Sequence, residues 1–225
     1  MIQSQVDHLV VAAASLAQGA AWCRDTLGVE PGPGGEHALM GTHNRLLLVA
    51  SAAYPRAYLE IIAINPAAPD PGRTRWFDLD GTAIRQAVAQ GPRLVHFVAR
   101  TSDGAGAVAA LDRLGIARGP LLRAERATPS GTLRWKISVR DDGQRLFHGA
   151  LPTLIEWGQA HPCDGMPDAG LSLKSLHARS PEAAQLRAAY SAVGLSGVPV
   201  QDGAPELIAT LATPKGEVRL TSGGL

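Results

Sequence analysis

Cysteine is scarce: Cys23 and Cys163 are the only two in 225 residues. Two cysteines build neither a disulfide framework nor a zinc cluster, so the expected compartment is a reducing cytoplasm. An excess of one charge is also missing. The 21 Lys and Arg against 20 Asp and Glu leave a formal net charge of +1, and no basic tract occurs. That speaks against nucleic acid or an anionic membrane as partner. No apolar run is long enough to span a bilayer. Leu9 to Ala21 is apolar enough to resemble a secretory leader, but no Lys or Arg precedes it and Asp7 and His8 stand at its head. The expectation is therefore no signal peptide. Lysine is nearly absent, with Lys136, Lys174 and Lys215 alone, and arginine carries the rest. With many Ala and Gly, this codon-level bias suggests a GC-rich bacterial genome. What remains, 45% hydrophobic and 18% charged residues, suits one sizeable domain or two small modules sharing a core. The expected partner is a small-molecule substrate, and the expected state is a monomer or homodimer.

What the chain does contain is one device used twice. Asp7-His8-Leu9-Val10-Val11 is followed by Tyr58-Leu59-Glu60-Ile61-Ile62, and Val95-His96-Phe97-Val98-Ala99 by Leu154-Ile155-Glu156-Trp157. Each copy sets a histidine in one apolar strand and a glutamate in another. Around them the pattern reads βαβββ. A strand at His8 to Ala12 leads to a helix capped by Ser15 and closed by Gly28. A Pro/Gly loop at Glu30 to Gly35, a short strand near His37 to Met40, and strands at Asn44 to Val49 and Ala57 to Ala63 follow. The order recurs with a strand at Leu94 to Ala99, a helix at Asp103 to Leu114, and strands at Leu133 to Val139, Leu146 to Phe147 and Thr153 to Trp157. The expected units are a first module over residues 1–64, a connector over 65–91, a second module over 92–165, and a partial third βαββ module over 166–225 without matching ligands. The fold class is α+β, with the paired modules forming a curled mixed sheet around a cleft.

Strand alternation places His8 with Val6 and Val10, Glu60 with Tyr58 and Ile62, His96 with Leu94 and Val98, and Glu156 with Leu154. A carboxylate among apolar neighbours is costly unless paired or metal-bound. A lone strand histidine is more often a hydrogen-bonded core residue, and a lone strand glutamate more often faces solvent. As a matched quartet, His8, Glu60, His96 and Glu156 point instead to one divalent metal ion.

These segments, with Gly41-Thr42-His43-Asn44-Arg45-Leu46, resemble the glyoxalase / bleomycin-resistance / dioxygenase superfamily, the vicinal oxygen chelate proteins, and within it the glyoxalase-like domain family. The resemblance covers about residues 5 to 165. It implies two βαβββ modules curled around a metal, with ligands from the first and last strands of each module, and Glu156 as the catalytic base. The metal would be Ni, Co, Zn, Mn or Fe. The implied activity is that of a lyase or isomerase, glyoxalase- or epimerase-like, stabilising an enediolate of a small vicinally oxygenated substrate. The alternatives are a binding or antibiotic-resistance protein without turnover, which does not need the quartet, and an extradiol-type dioxygenase, which uses three ligands. His37 and His43 fit either a substrate pocket or a polar loop. Asn44 and Arg45 are similar, Arg45 suiting an anionic group or an outward salt bridge. Trp135 and Trp157 read as core, Trp76-Phe77 as lid or interface, and His148 and His161 as turn residues.

Overall fold

The computed structural model describes residues 1–128 and 131–225. Its larger sheet joins two four-stranded halves. The first half holds β1 (Ser4–Ala12), β2 (Glu36–His37), β3 (Thr42–Leu48) and β4 (Tyr58–Ile64), with α1 (Leu16–Trp22) after β1. The second holds β5 (Arg93–Thr101), β6 (Leu121–Thr128), β7 (Gly131–Ser138) and β8 (Thr153–Trp157), with α3 (Gly104–Asp112) after β5. The strand order is β2-β3-β4-β1-β5-β8-β7-β6, so the halves meet at the antiparallel β1–β5 pair. In each half the first strand also pairs parallel with the last, β1 with β4 and β5 with β8. This is the curled mixed sheet that the sequence pattern called for.

The ends of the helices are written locally. The Ser15 side chain accepts from the Gln18 N–H and caps α1, and Asp103 does the same for α3 through Gly106. Gly28, at φ 78°, closes the π-helical turn Cys23–Leu27 that extends α1. Cys23 itself is fully buried, and burial pushes its thiol up to about 12.

Two apolar layers lie on opposite faces of the sheet. On the outer face Leu9, Val11, Leu59, Ile61, Phe97 and Leu111 form one continuous core. The tail joins that core through Leu173, Leu176, Leu186 and Tyr190. It comprises β9 (Ser172–Ser180), α4 (Ala183–Ala192), β10 (Val200–Asp202), β11 (Glu206–Thr213) and β12 (Gly216–Thr221). The order of elements echoes the modules, with a short strand β10 that the sequence pattern does not show. The pairing does not echo them: the sheet runs β10-β9-β11-β12, and β9 pairs with β11 rather than with the last strand. Polar ties also hold the tail down. Ser4 Oγ donates to Val193 O, and Tyr190 Oη donates to Ala150 O.

The inner, concave face carries Val10, Ile62, Val98, Ile137 and Ile155. The connector covers much of it. Trp76, Phe77, Leu79, and Ile84 and Val88 of α2 (Thr82–Gln90) all pack there. Trp76-Phe77 is therefore a buried plug, with Phe77 and Asp78 both at positive φ. Non-glycine residues adopt that conformation at a cost of about 1–3 kcal/mol each, which surrounding packing has to offset.

The second module differs from its expected strands. Its second strand is Leu121–Thr128, so the strand expected second at Leu133 to Val139 becomes the third, at Gly131–Ser138, and the third strand expected at Leu146 to Phe147 does not form. β6 is the sheet edge, and its Arg123, Glu125 and Arg126 masked it, because charges at an edge discourage further pairing. Phe147 and His148 adopt positive φ in a tight turn instead. No helix among the described residues is long and apolar enough to cross a membrane.

Candidate active site

The β1–β5 seam sets the site. Leu9 pairs with Phe97, His8 with Val98, and Val10 with His96, which is the signature of a local two-fold relation. Each strand carries one bulge. Val6 and His8 oppose Ala99 and Val98, leaving Asp7 as the extra residue. Val10 and Val11 oppose His96 and Leu94, leaving Val95 as the extra residue. A bulge interrupts the alternation of faces. Val6 therefore packs in the outer core while His8 faces the cleft with Val10, and Asp7 turns inward beside His8. Strict alternation had put Val6 and His8 together and Asp7 away from both.

Asp7 is fully buried and accepts three hydrogen bonds. His8 Nδ1 lies 2.7 Å from Oδ1, while His161 Nε2 at 2.9 Å and Trp157 Nε1 at 3.0 Å reach Oδ2. Burial alone would raise this carboxyl, but the hydrogen bonds from His161 and His8 outweigh it and hold Asp7 well below the usual carboxylate range. The partners also fix the imidazole tautomers. Cys163 N donates to His161 Nδ1, so His161 Nε2 carries the proton offered to Asp7. His8 Nδ1 likewise donates to the Asp7 carboxylate, which leaves His8 Nε2 facing the cleft. That nitrogen stands 3.7 Å from Glu60 Oε2. His8 stacks on Tyr58 with ring centroids 4.5 Å apart.

Glu60 is held from the other side. Asn44 Nδ2 donates to Glu60 Oε1 at 2.6 Å, and Asn44 Oδ1 accepts from Gly35 N at 2.8 Å. The amide is thus oriented by the Pro/Gly loop. His37 Nε2 lies 3.3 Å from Asn44 Nδ2 and 3.9 Å from Glu60 Oε1. Burial pushes His37 down to about 4, with Glu60 opposing and Arg126 assisting, so its ring is neutral near pH 7. A cleft of about 40 Å³ is lined by His8, His37, Asn44, Glu60, Arg126 and Trp157, among others. The Arg126 Nε–H, buried, has no hydrogen-bond partner among the described residues.

The other half of the expected quartet is elsewhere. His96 is fully buried and fully engaged: its Nδ1 pairs with Gly149 O at 2.8 Å, and its Nε2 accepts from Thr153 N at 3.1 Å. Burial, then the nearby Arg118 charge, hold its pKa well below the ordinary value. No lone pair is left to bind a metal. Glu156 lies on the outer face with Leu154. Its Oε1 takes Lys136 Nζ at 2.5 Å and its Oε2 takes Gly104 N at 2.9 Å, at the start of α3. The Lys136 ammonium holds its carboxyl below the usual range. Glu156 is therefore neither a cleft ligand nor a base facing it.

Register supplies the reason. Val10 pairs with Glu60 across β1 and β4, and its counterpart Val98 pairs with Thr153 across β5 and β8. Thr153, not Glu156, holds the position of Glu60 in the second half. An odd offset of three residues carries Glu156 to the opposite face. Of the pocket candidates, His37 and Asn44 reach Glu60. His43 and Arg45 alternate with Thr42, Asn44 and Leu46 on β3 and point away, with Arg45 exposed. Sequence reasoning missed Asp7, Trp157 and His161. The adjacency of Asp7 to His8 was visible, but the bulge that makes it useful was not.

The donor set does not fit a His/Glu/His/Glu metal centre. His8 and Glu60 converge, but no group of three or more His, Cys, Asp or Glu able to hold a metal ion occurs among the described residues.

The sequence profile of the glyoxalase-like domain matches residues 6–194. No curated protein matches the sequence. Among solved structures, a hypothetical protein from Staphylococcus aureus superposes with TM-score 0.60 at 13% identity, over 97% of this chain and 85% of that one, which shows a shared fold. A variant of Streptomyces coelicolor methylmalonyl-CoA epimerase gives TM-score 0.43 at 18% identity, over 71% of this chain and 100% of that one. A variant of 4-hydroxymandelate synthase from Streptomyces coelicolor gives 0.45 at 13%, over 98% and 63%.

Proposed function

The chain belongs to the glyoxalase-like domain family, and from that premise we propose that it is a lyase or isomerase that moves a proton at a carbon next to a carbonyl of a small vicinally oxygenated substrate. The observation that carries this reading is the buried Asp7–His8–Glu60 array, with His8 Nε2 3.7 Å from the Glu60 carboxylate. Such an array is costly to bury, and its groups suit general acid–base work. His8 accepts the proton from carbon, and Asp7 stabilises the imidazolium that results. The electron pair moves to the carbonyl oxygen. Arg126 lines the same cleft, and its Nε–H, unpartnered among the described residues, supplies a donor for that oxyanion. The proton then returns to the neighbouring carbon through Glu60.

Members of the wider superfamily commonly use a divalent metal. Because His96 and Glu156 are committed to other partners, no step of this scheme runs through one. The same commitment favours a second reading, capture of a small molecule without turnover, since that function does not need the quartet.

Solvent exchange separates the two. The protein is incubated in D₂O with a panel of α-hydroxy and α-keto carbonyl compounds, and deuterium at the carbon next to the carbonyl is followed by proton NMR. Exchange by wild type, lost in Glu60→Gln and His8→Gln, supports proton transfer. Ligand-observed binding without exchange supports capture.

A further inference from the structure

The second half of the sheet carries its own small cavity. Arg118, Ser138, Arg140, Arg145, Thr153 and Trp76 are among its walls. Its volume of about 10 Å³ is room for one water-sized group. Two of the three arginines have their own acid: Arg140 pairs with Asp142, and Arg145 Nε donates to Asp78 Oδ2 at 2.9 Å. Arg118 is the most buried of the three, at 2% exposure, and no carboxylate lies within 4 Å of it among the described residues. Its donors go to neutral acceptors, Nε to Pro152 O at 2.9 Å and Nη2 to Thr153 Oγ1. A buried guanidinium stays charged and is costly without a counter-charge. Burial, then the nearby Arg140, push Arg118 down to about 9, with Asp142, already paired to Arg140, opposing only in part. Trp76 borders both this cavity and the His8–Glu60 cleft. The indole N–H of Trp76 is buried with no hydrogen-bond partner among the described residues.

The two-fold relation explains what is missing. In the first half the strand position beside the histidine is Glu60, a carboxylate. In the second half it is Thr153, a hydroxyl, with Arg118 donating to it. The internal negative charge has been lost and a positive one gained.

We propose that this cavity is a site for a small monovalent inorganic anion, a halide such as chloride, which supplies the counter-charge to Arg118. A cavity of about 10 Å³ suits a single-atom anion better than a tetrahedral oxyanion. The site shares the Trp76–Phe77 wall with the His8–Glu60 cleft but does not depend on the proton-transfer reading.

Two measurements test it on the full chain. Crystals grown in gluconate salts are soaked in sodium bromide and bromine anomalous scattering is mapped. A peak within contact of the Arg118 guanidinium is expected, and a map with no peak there, or a water in its place, overturns the proposal. Thermal unfolding is followed as sodium chloride replaces sodium gluconate at constant ionic strength. Wild type should gain about 3 °C in a saturable way, as binding at a few times Kd implies, and Arg118→Met should gain nothing. Indifference of wild type, or an equal response from the variant, overturns it. Should Arg118→Met fail to fold, the bromide map on wild type decides.

Discussion

His8 Nε2 and Glu60 Oε2 stand 3.7 Å apart, with both residues about 5% exposed. Each is fixed by a partner that does not itself occupy the gap, Asp7 behind His8 and Asn44 behind Glu60. The pair is thus preorganised rather than merely close, and the predictions follow from how it is held.

Asp7→Asn keeps the shape and removes the charge. The amide can still accept from one imidazole, but it no longer stabilises an imidazolium at His8. Deuterium exchange should fall by about 10²–10⁴-fold. Stability should drop by about 1–3 kcal/mol, because buried donors of His161 or Trp157 lose their acceptor. Denaturant titration beside exchange kinetics checks both; retention of full exchange would remove Asp7 from the mechanism.

Glu60→Gln and Glu156→Gln should part company. The first should abolish exchange. The second breaks a partly exposed pair with Lys136 and should cost no more than about 1 kcal/mol, with exchange unchanged. A large catalytic loss in Glu156→Gln would instead mean that β8 shifts register in the working protein.

Chelation is expected to do little. Treatment with EDTA should leave the unfolding temperature unchanged, and His96→Gln should not alter metal content measured by mass spectrometry. Stoichiometric nickel or zinc that is lost in His96→Gln would contradict the hydrogen bonding of His96 described above.

Acid should act through His37, alongside the fully buried His96. The folded pKa of His37, about 4, lies below the ordinary 6.5. Between these values the unfolded chain binds a proton that the folded one refuses, so stability rises with pH across this window. The contribution to the loss on acidification approaches about 3 kcal/mol at pH 4. A His37→Gln variant should show a flatter stability profile from pH 6.5 to 4, and an unchanged slope would place the sensitivity elsewhere.

Gly34→Ala probes the loop that orients Asn44. A Cβ at this position would meet Asn44 O at 2.0 Å and Oδ1 at 2.4 Å, both too close to tolerate. The substitution should displace the amide from Glu60 and reduce exchange by about tenfold or more while leaving the protein folded. Circular dichroism and exchange together report the outcome.

The division between sequence and tertiary structure is clear at particular residues. Hydrophobic periodicity, caps and the repeated His-to-Glu order were enough for the two-module order and for His8 and Glu60 in first and last strands, while β6 went unread and His37 and Asn44 stayed open between pocket and polar loop. These depend on local patterns that survive in any register. Three features were decided only by long-range pairing. The bulges before His8 and His96 brought Asp7 onto the cleft face, although Asp7 and His8 are neighbours in an alternating strand. The register of β8 against β5 placed Thr153 where Glu60's counterpart was expected and turned Glu156 outward. The connector filled the concave face with Trp76 and Phe77, because its apolar side chains had no other surface to bury against. A strand pattern records which residues alternate; the partner strand decides where that alternation is broken and which face each residue finally meets.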